Sequence, residues 1–423
     1  MTKKPAASKT TTIKKNSKRT QELVAKGKKY YLPTYKPREA ILDRGKGAHI
    51  WDIDGNDYID FGSGIAVNGL GHQDPDLVKA LIIQAKKLWH TSNVFYTEPP
   101  ILLAESLVKA SGFAKYAFFC NSGAEANEAA IKLARKYAAD KGRSPEKREI
   151  ITFQGSFHGR TLTTVTATAQ PKYQAGFEPL PQGFVYCPFN DEAAITKLVT
   201  DKTCAILVEP IQGEGGITPA KPGYLKLLRT LCDKVGALLM FDEVQSGMMR
   251  TGKLFAYQHE KGVVPDVVSM AKGLGGGFPI GAILVGLKAA DTFQYGSHGS
   301  TFGGNPMATA VAGTVIKKLQ SKALIKNVET RGKELRTALA AINKEFKIFK
   351  EIRGRGLMIG AELRDNLQGK AGDIIEVARE HGLLILQAGP NVLRLMPPLT
   401  VTEKELKLGI KRLRESFRAY LQY

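Results

Sequence analysis

Residues 238–247 read LLMFDEVQSG, and residues 267–285 read VVSMAKGLGGGFPIGAILV. Each is a short apolar run that stops at chemistry, the first at Asp242 and the second at Lys272 with a glycine-rich turn behind it. Three runs of the same kind precede them: YAFFC at 116–120, IITF at 150–153 and AILV at 205–208. Helical patterns fill the intervals. Continuous apolar runs of this length suit strands covered on both faces, so the alternation predicts an α/β fold with a mainly parallel sheet between about 115 and 286. Open sheets of that kind bind ligands beyond the carboxyl ends of their strands, where the polar residues of this sequence gather.

Working outward, 423 residues with 43% hydrophobic content exceed what one core usually holds. A large domain over residues 76–310 is expected, with helices at 76–89 and 99–111. A smaller α+β domain should combine the N-terminal segment 30–75 with residues 311–423. Its strands are IRGRGLMIGAEL (352–363), LLILQA (383–388) and VLRLMPPL (392–399), followed by a helix from near Thr402. No internal repeat is evident.

The formal charge of +21 is partly local, because Lys3, Lys4, Lys9, Lys14, Lys15, Lys18 and Arg19 share the first twenty residues with no acid. Residues 1–29 therefore read as a basic, disordered tail. No zinc finger, base-reading helix or stacking module stands beside it, so nucleic acid is not an expected partner. Nor is a membrane, since no run has the length and apolarity of a spanning helix and no secretory signal opens the chain. Cys120, Cys187, Cys204 and Cys232 are widely spaced within apolar runs, which suggests a reduced, cytoplasmic setting. His72, His90, His158 and His298 lack metal-ligand spacing, and no metal site is expected. The glycines after Lys272 do not form GxGxxG, and GxxxxGKS is absent.

Four features converge on one chemistry. In FFCNSGAEANEAAIKLARKY (118–137) a strand breaks at Asn121 and enters a strong helix, so Ser122, Gly123 and Ala124 form a candidate phosphate cradle; an ordinary N-cap is the alternative. Asp242 ends a buried strand, where a carboxylate needs a cationic or protonated partner: either an aromatic cofactor nitrogen or a structural salt bridge. Lys272, desolvated at a strand end, has the makings of a Schiff-base nucleophile, against the plainer reading of a surface lysine beside a loop. In ITFQGSFHGRTLTT (151–164), Phe157 is placed to stack on a ring, His158 to border it and Arg160 to clamp a carboxylate, unless these are core and rim.

Together FCNSGAEANEAA, FHGRT, VEPIQGEGG, FDEVQSG, AKGLGGGFPIGA and STFGGNP resemble, in order, the class III (ω) branch of pyridoxal-phosphate aminotransferases. Within that branch PTYKP, GIAVNGLGH, KLWHTSNVFYTEPP and LVEPIQGEGGI are similar to the bacterial acetylornithine and succinylornithine enzymes. The resemblance runs from about residue 30 to the C-terminus. It implies the aspartate-aminotransferase type of fold (fold type I), with pyridoxal 5′-phosphate as cofactor. It further implies Lys272 as the cofactor lysine and proton shuttle, and Asp242 on the ring nitrogen. Val244 and Phe157 would lie on the two ring faces, with Gln245 on the 3-oxygen and Ser122, Gly123 and Ala124 on the phosphate. Thr301 would reach the phosphate of the opposite subunit in a homodimer with shared active sites. The implied substrates are N-acetylornithine and 2-oxoglutarate, with glutamate as product. Arg160 would clamp the distal carboxylate and Arg394 the proximal one, with Glu209 pairing Arg394 during the amine half-reaction. Succinylornithine, the δ-amine of ornithine and 4-aminobutyrate are rival donors, and a non-catalytic scaffold is the reading from another class. Met248-Met249 departs from the small or branched residues common before the Arg-Thr-Gly.

Overall fold

The computed structural model describes residues 12–422. Its centre is a seven-stranded sheet: β1 (Ala114–Cys120), β2 (Glu149–Phe153), β3 (Phe184–Cys187), β4 (Thr203–Val208), β5 (Leu238–Asp242), β6 (Val267–Met270) and β7 (Gly281–Gly286). Their spatial order is β1-β7-β6-β5-β4-β2-β3. Every residue of β4, β5, β6 and β7 is buried, as two-sided cover by helices requires.

Parallel pairing runs through β6-β5-β4-β2-β3, whereas β7 is antiparallel to both β6 and β1. The cause is chain length: only residues 271–280 join β6 to β7, fewer than a parallel crossover needs. That reversal places the start of β7 beside the ends of its neighbours, with Gly281 opposite Cys120 and Ala282 opposite Met270. The ends of β1, β5 and β6 and the start of β7 thus share one edge. Asp242 pairs in register with Ser269, three residues before Lys272.

Two four-stranded sheets accompany this one, along with the two-stranded pair of Ile211–Gln212 and Thr218–Pro219. Strands β8 (Phe349–Arg355), β9 (Met358–Leu363), β10 (Leu386–Ala388) and β11 (Val392–Leu395) pair antiparallel, and Arg394 stands opposite Gly360. The run LLILQA is not one strand. Its first two residues, Leu383–Leu384, pair with Asp57–Asp60 in a sheet otherwise built from Leu42–Lys46 and His49–Asp52, and only Leu386–Ala388 joins β11. Ile385, buried between them, is where the chain changes sheet. The expected helices form at Pro75–Ala85, Glu98–Ser111 and Glu403–Gln422.

The disordered tail requires correction. Of residues 1–29, those numbered 1–11 lie outside the described residues, but Lys18–Tyr30 is a helix capped by Ser17. Ile13 N–H donates to Glu380 O at 2.9 Å, Lys14 N–H to Asn56 Oδ1 at 2.7 Å and Thr20 Oγ1 to Asp54 Oδ2 at 2.8 Å. Composition hid this because what orders the segment is a set of polar acceptors on the 54–56 turn, with Thr20 as the buried contact. Among the described residues no helix is long and apolar enough to cross a membrane, and no cluster could hold a metal ion.

Candidate active site

The shared edge of the sheet opens into a cavity of about 420 Å³. Ser122, Gly123, Ala124, Phe157, Arg160, Glu209, Asp242, Val244, Gln245 and Lys272 line it. Arg394 stands behind Gln245 and is outside the lining, as is the exposed Thr301.

The helix Gly123–Asp140 begins at this cavity. Ser122 Oγ accepts from Glu125 N–H at 3.2 Å, and the Glu125 carboxylate reaches back to Asn121 N–H at 2.9 Å, a reciprocal cap. Gly123 and Ala124, in the first turn, keep N–H groups with no intrahelical acceptor at the positive end of the helix. Glycine is required at 123, because a Cβ there would lie 2.7 Å from Val244 Cγ1.

Asp242 is buried in a network the sequence reading only half saw. Its Oδ2 accepts from Asn127 Nδ2 at 2.7 Å and pairs with His158 Nδ1 at 2.8 Å, while Oδ1 accepts from Val244 N–H at 3.0 Å. Asn127 is held in turn by Ser269 Oγ, at 2.6 Å from its Oδ1. His158 Nε2 is buried with no hydrogen-bond partner among the described residues. The signal for Asn127 was present: one amide on an otherwise alanine-rich buried helix face.

Lys272 adopts φ +43°, a left-handed conformation that aims a non-glycine residue out of the strand path. Burial lowers its pKa below the ordinary lysine value, with Arg394 adding to the effect and Glu214, Asp242 and Glu209 opposing it. Among carboxylates the split is wide. Glu209 is pushed well above the usual range by burial and by Asp242, whereas at Glu214 the opposing pull of burial is outweighed by Arg394, Lys272 and Gln245 together, which hold it below.

This corrects the expected Glu209–Arg394 pair. Arg394 Nη1 donates to Glu214 Oε1 and, at 3.2 Å, to Gln245 Oε1. Glu209 instead accepts from Phe157 N–H at 3.0 Å and Gly213 N–H at 3.2 Å. Both acids belong to one motif, VEPIQGEGG, and the turn after Ile211–Gln212 carries the second to Arg394 while backbone donors retain the first. Gln245 therefore bridges Glu214 and Arg394, and a Cβ at Gly213 would meet it at 2.3 Å. At the mouth, Arg160 Cζ lies 4.0 Å from the Tyr173 ring centroid and 5.5 Å from that of Phe157. Met248 and Met249 are both buried and outside the cavity lining, and a Cβ on Gly273 would lie 3.1 Å from Met248 Cβ, so Met248 packs against the residue that follows Lys272.

One buried acid beside the site has a stability consequence. Glu243 accepts from Ser246 Oγ and from Tyr257 N–H at 2.9 Å, and burial raises its pKa to about 7 from an ordinary 4.5. The folded state then binds the proton more tightly than the unfolded chain, so stability falls as pH rises from about 4.5 to about 7. Glu243→Gln keeps the bond from Tyr257 N–H on its amide oxygen, turns the Ser246 contact round so that Nε2 donates to Ser246 Oγ, and should remove that slope. We expect it to raise stability at pH 8 by roughly 3 kcal/mol relative to the parent and to change little at pH 4.5, read by denaturation at both pH values. A lower midpoint for the variant at pH 8 would refute it.

These residues fit pyridoxal phosphate. The cradle admits an anion beside a glycine whose side-chain space is taken by Val244, and among the described residues no Lys or Arg is ion-paired with Asp242, which leaves that acid free for a cationic ring nitrogen. Lys272 supplies a desolvated amine in the same cavity.

Comparison with known proteins agrees. The class-III aminotransferase family model matches residues 30–417. An acetylornithine aminotransferase of Xanthomonas campestris pv. campestris is 57% identical over 393 residues, covering 93% of this chain and 96% of that protein. A succinylornithine transaminase of Yersinia enterocolitica is 52% identical, covering 91% and 94%. Among solved structures, the N-acetylornithine aminotransferase of Stenotrophomonas maltophilia superposes with a TM-score of 0.83 at 50% identity, covering 94% of this chain and 99% of that one. An ornithine aminotransferase of Toxoplasma gondii, which carries pyridoxal phosphate at partial occupancy in its active site, gives 0.90 at 33% identity and covers 95% of each chain. The chain belongs to the class-III aminotransferases, with their type I fold and their pyridoxal 5′-phosphate cofactor.

Proposed function

We propose that this chain transfers the terminal amine of N2-acetyl-L-ornithine to 2-oxoglutarate, giving N-acetyl-L-glutamate 5-semialdehyde and glutamate. The observation that carries the reading is the pair of arginines at different depths, Arg160 at the mouth and Arg394 behind Gln245, of which, among the described residues, only the inner one is neutralised by a carboxylate. A terminal-amine donor keeps its carboxylate far from the reacting carbon, and 2-oxoglutarate keeps one beside it. Two clamps with one switchable counter-charge serve both. The 57% identical acetylornithine aminotransferase supports the same donor.

Pyridoxal phosphate, when bound, supplies a reactive aldehyde and an electron-withdrawing ring. Ser122, Gly123 and Ala124 hold its phosphate at the helix N-terminus. Asp242, fixed by Asn127, His158 and Val244, keeps the ring nitrogen protonated. Val244, Phe157 and Gln245 line the same cavity and would hold the ring. Lys272 Nζ would be the amine that holds the cofactor aldehyde and, when free, the base that takes the proton from the amine-bearing carbon of the substrate. Burial favours the neutral amine that this transfer needs. Arg160 binds the distal carboxylate of the acylornithine. Arg394 binds the proximal carboxylate of 2-oxoglutarate after Glu214 moves aside.

The assembly is a homodimer in this reading. Val94, Phe95 and Tyr96 are 76%, 72% and 92% exposed, and Asn93 Nδ2 ties that segment to Ser300 O and Gly303 O on either side of Thr301. An apolar surface of this kind fits a second copy, with Thr301 offered to its phosphate. The chain divides into residues 76–310 as the cofactor-binding domain, and 30–75 with 311–423 as the smaller one.

Steady-state kinetics with N-acetylornithine, N-succinylornithine, ornithine and 4-aminobutyrate, each with 2-oxoglutarate, test the reading. The acylated donors should exceed 4-aminobutyrate by at least about tenfold in kcat/KM, the value of one lost charge-assisted contact. Equal or greater kcat/KM for 4-aminobutyrate would overturn it.

A further inference from the structure

Arg250 is 2% exposed and is the bulkiest of the fully buried side chains. No carboxylate is ion-paired with it among the described residues, Nη2 has no hydrogen-bond partner, and burial lowers its pKa to about 10 against a weak opposing pull from Asp60. A cation in such a place is costly unless its contacts are needed. Its side-chain hydrogen bonds go to two backbone carbonyls, both distant in sequence. Nη1 donates to Leu357 O at 3.3 Å, in the turn between β8 and β9, and to Pro397 O, just past the end of β11. Its own carbonyl accepts from Leu357 N–H at 3.0 Å, and a Cβ on Gly356 would lie 2.7 Å from that oxygen, so the two chains touch without room for a side chain.

Both ends of this contact lead to the site. On one side the chain runs back through Gln245 to Asp242, with Arg250 N–H donating to Gly247 O at 3.2 Å and Gly247 N–H to Glu243 O at 2.9 Å. On the other, Pro397 is three residues beyond Arg394, whose strand pairs with β9 next to the Leu357 turn. We propose that Arg250 is a positioning residue: a buried strut that fixes the strand carrying Arg394 at a set distance from the end of β5 at Asp242 and the Gln245 turn behind it, and thereby sets the affinity for the carboxylate of the keto acid. The inference rests on the reading of Arg394 as the keto-acid clamp. Arginine suits the task because one planar group reaches two carbonyls that are otherwise left with buried, unmade bonds.

The test compares Arg250→Met, which keeps length but donates to neither carbonyl, with Arg250→Lys, which can reach one. The holoenzyme is assayed in separate half-reactions, and calorimetry measures binding of glutarate, an unreactive dicarboxylate. Arg250→Met should weaken glutarate binding and raise the apparent Kd for 2-oxoglutarate by about 10- to 100-fold, the scale of a displaced clamp. The acylornithine half-reaction should change by less than about threefold, and Arg250→Lys should recover part of the loss. Equal losses in both half-reactions, or unaltered glutarate binding, overturn the strut. Should Arg250→Met fail to fold, the same asymmetry is required of Arg250→Lys, and symmetric loss there overturns it as well. Arg394→Ala in parallel separates the two ideas: if it leaves glutarate binding intact the clamp reading itself falls, whereas clamp loss with a symmetric Arg250 effect refutes only the strut.

Discussion

Lys272→Ala is expected to lose about 10⁴-fold or more in turnover, because one amine is proposed to provide both the hold on the cofactor aldehyde and the proton transfer. The rest of the cavity does not depend on it. Asp242 keeps its bonds to Asn127, His158 and Val244, and the helix cradle is untouched, so the variant should fold and still bind pyridoxal phosphate. Borohydride treatment of the loaded parent should leave the cofactor on the peptide containing Lys272, and the variant should show no such adduct, its spectrum being that of the unlinked aldehyde. The pH dependence follows from the same environment. Burial holds the Lys272 pKa below 10.5, so the neutral amine is available at lower pH than for an exposed lysine. Turnover of the variant within tenfold of the parent, or trapping on another lysine, would remove Lys272 from its assigned role.

The legibility of this molecule follows the range of the interactions involved. Asp242 and Lys272 were readable because each ends an apolar strand, and a charge at the end of a buried run is a local anomaly. The cradle was readable because a strand breaking at Asn121 into an alanine-rich helix is a local pattern too. What could not be read was the choice between Glu209 and Glu214. They lie five residues apart in one glycine-rich motif, and only the fold decides which one meets an arginine 180 positions away. The antiparallel turn of β7, the split of LLILQA between two sheets, and the docking of Thr20 on Asp54 share that cause. Each depends on a partner that the local sequence does not name. Asn127 is intermediate: its polarity was visible, but its purpose appeared only when Asp242 arrived from residue spacing of 115.

Arg394→Ala is expected to divide the two halves of the reaction. 2-Oxoglutarate loses the guanidinium that binds its inner carboxylate, and the loss of such a charge-assisted pair in a buried site should lower kcat/KM for the keto acid about 10²- to 10³-fold. The acylornithine half-reaction makes no use of that cation and should fall by less than about tenfold. Some loss is expected there, since Glu214 is left half-buried without the guanidinium that helps lower its pKa and will take up a proton more readily. Glu214→Gln is the complementary change. It frees Arg394 from its anion, so binding of the keto acid should tighten while discrimination against donors with an inner carboxylate declines, most visibly for glutamate in competition with acylornithine. The two variants therefore move the ratio of half-reaction rates in opposite directions, an outcome that a general loss of stability cannot mimic. Single-turnover measurements decide it: equal losses in both half-reactions for Arg394→Ala, together with an unchanged ratio for Glu214→Gln, would mean that this ion pair is structural and that 2-oxoglutarate is held elsewhere.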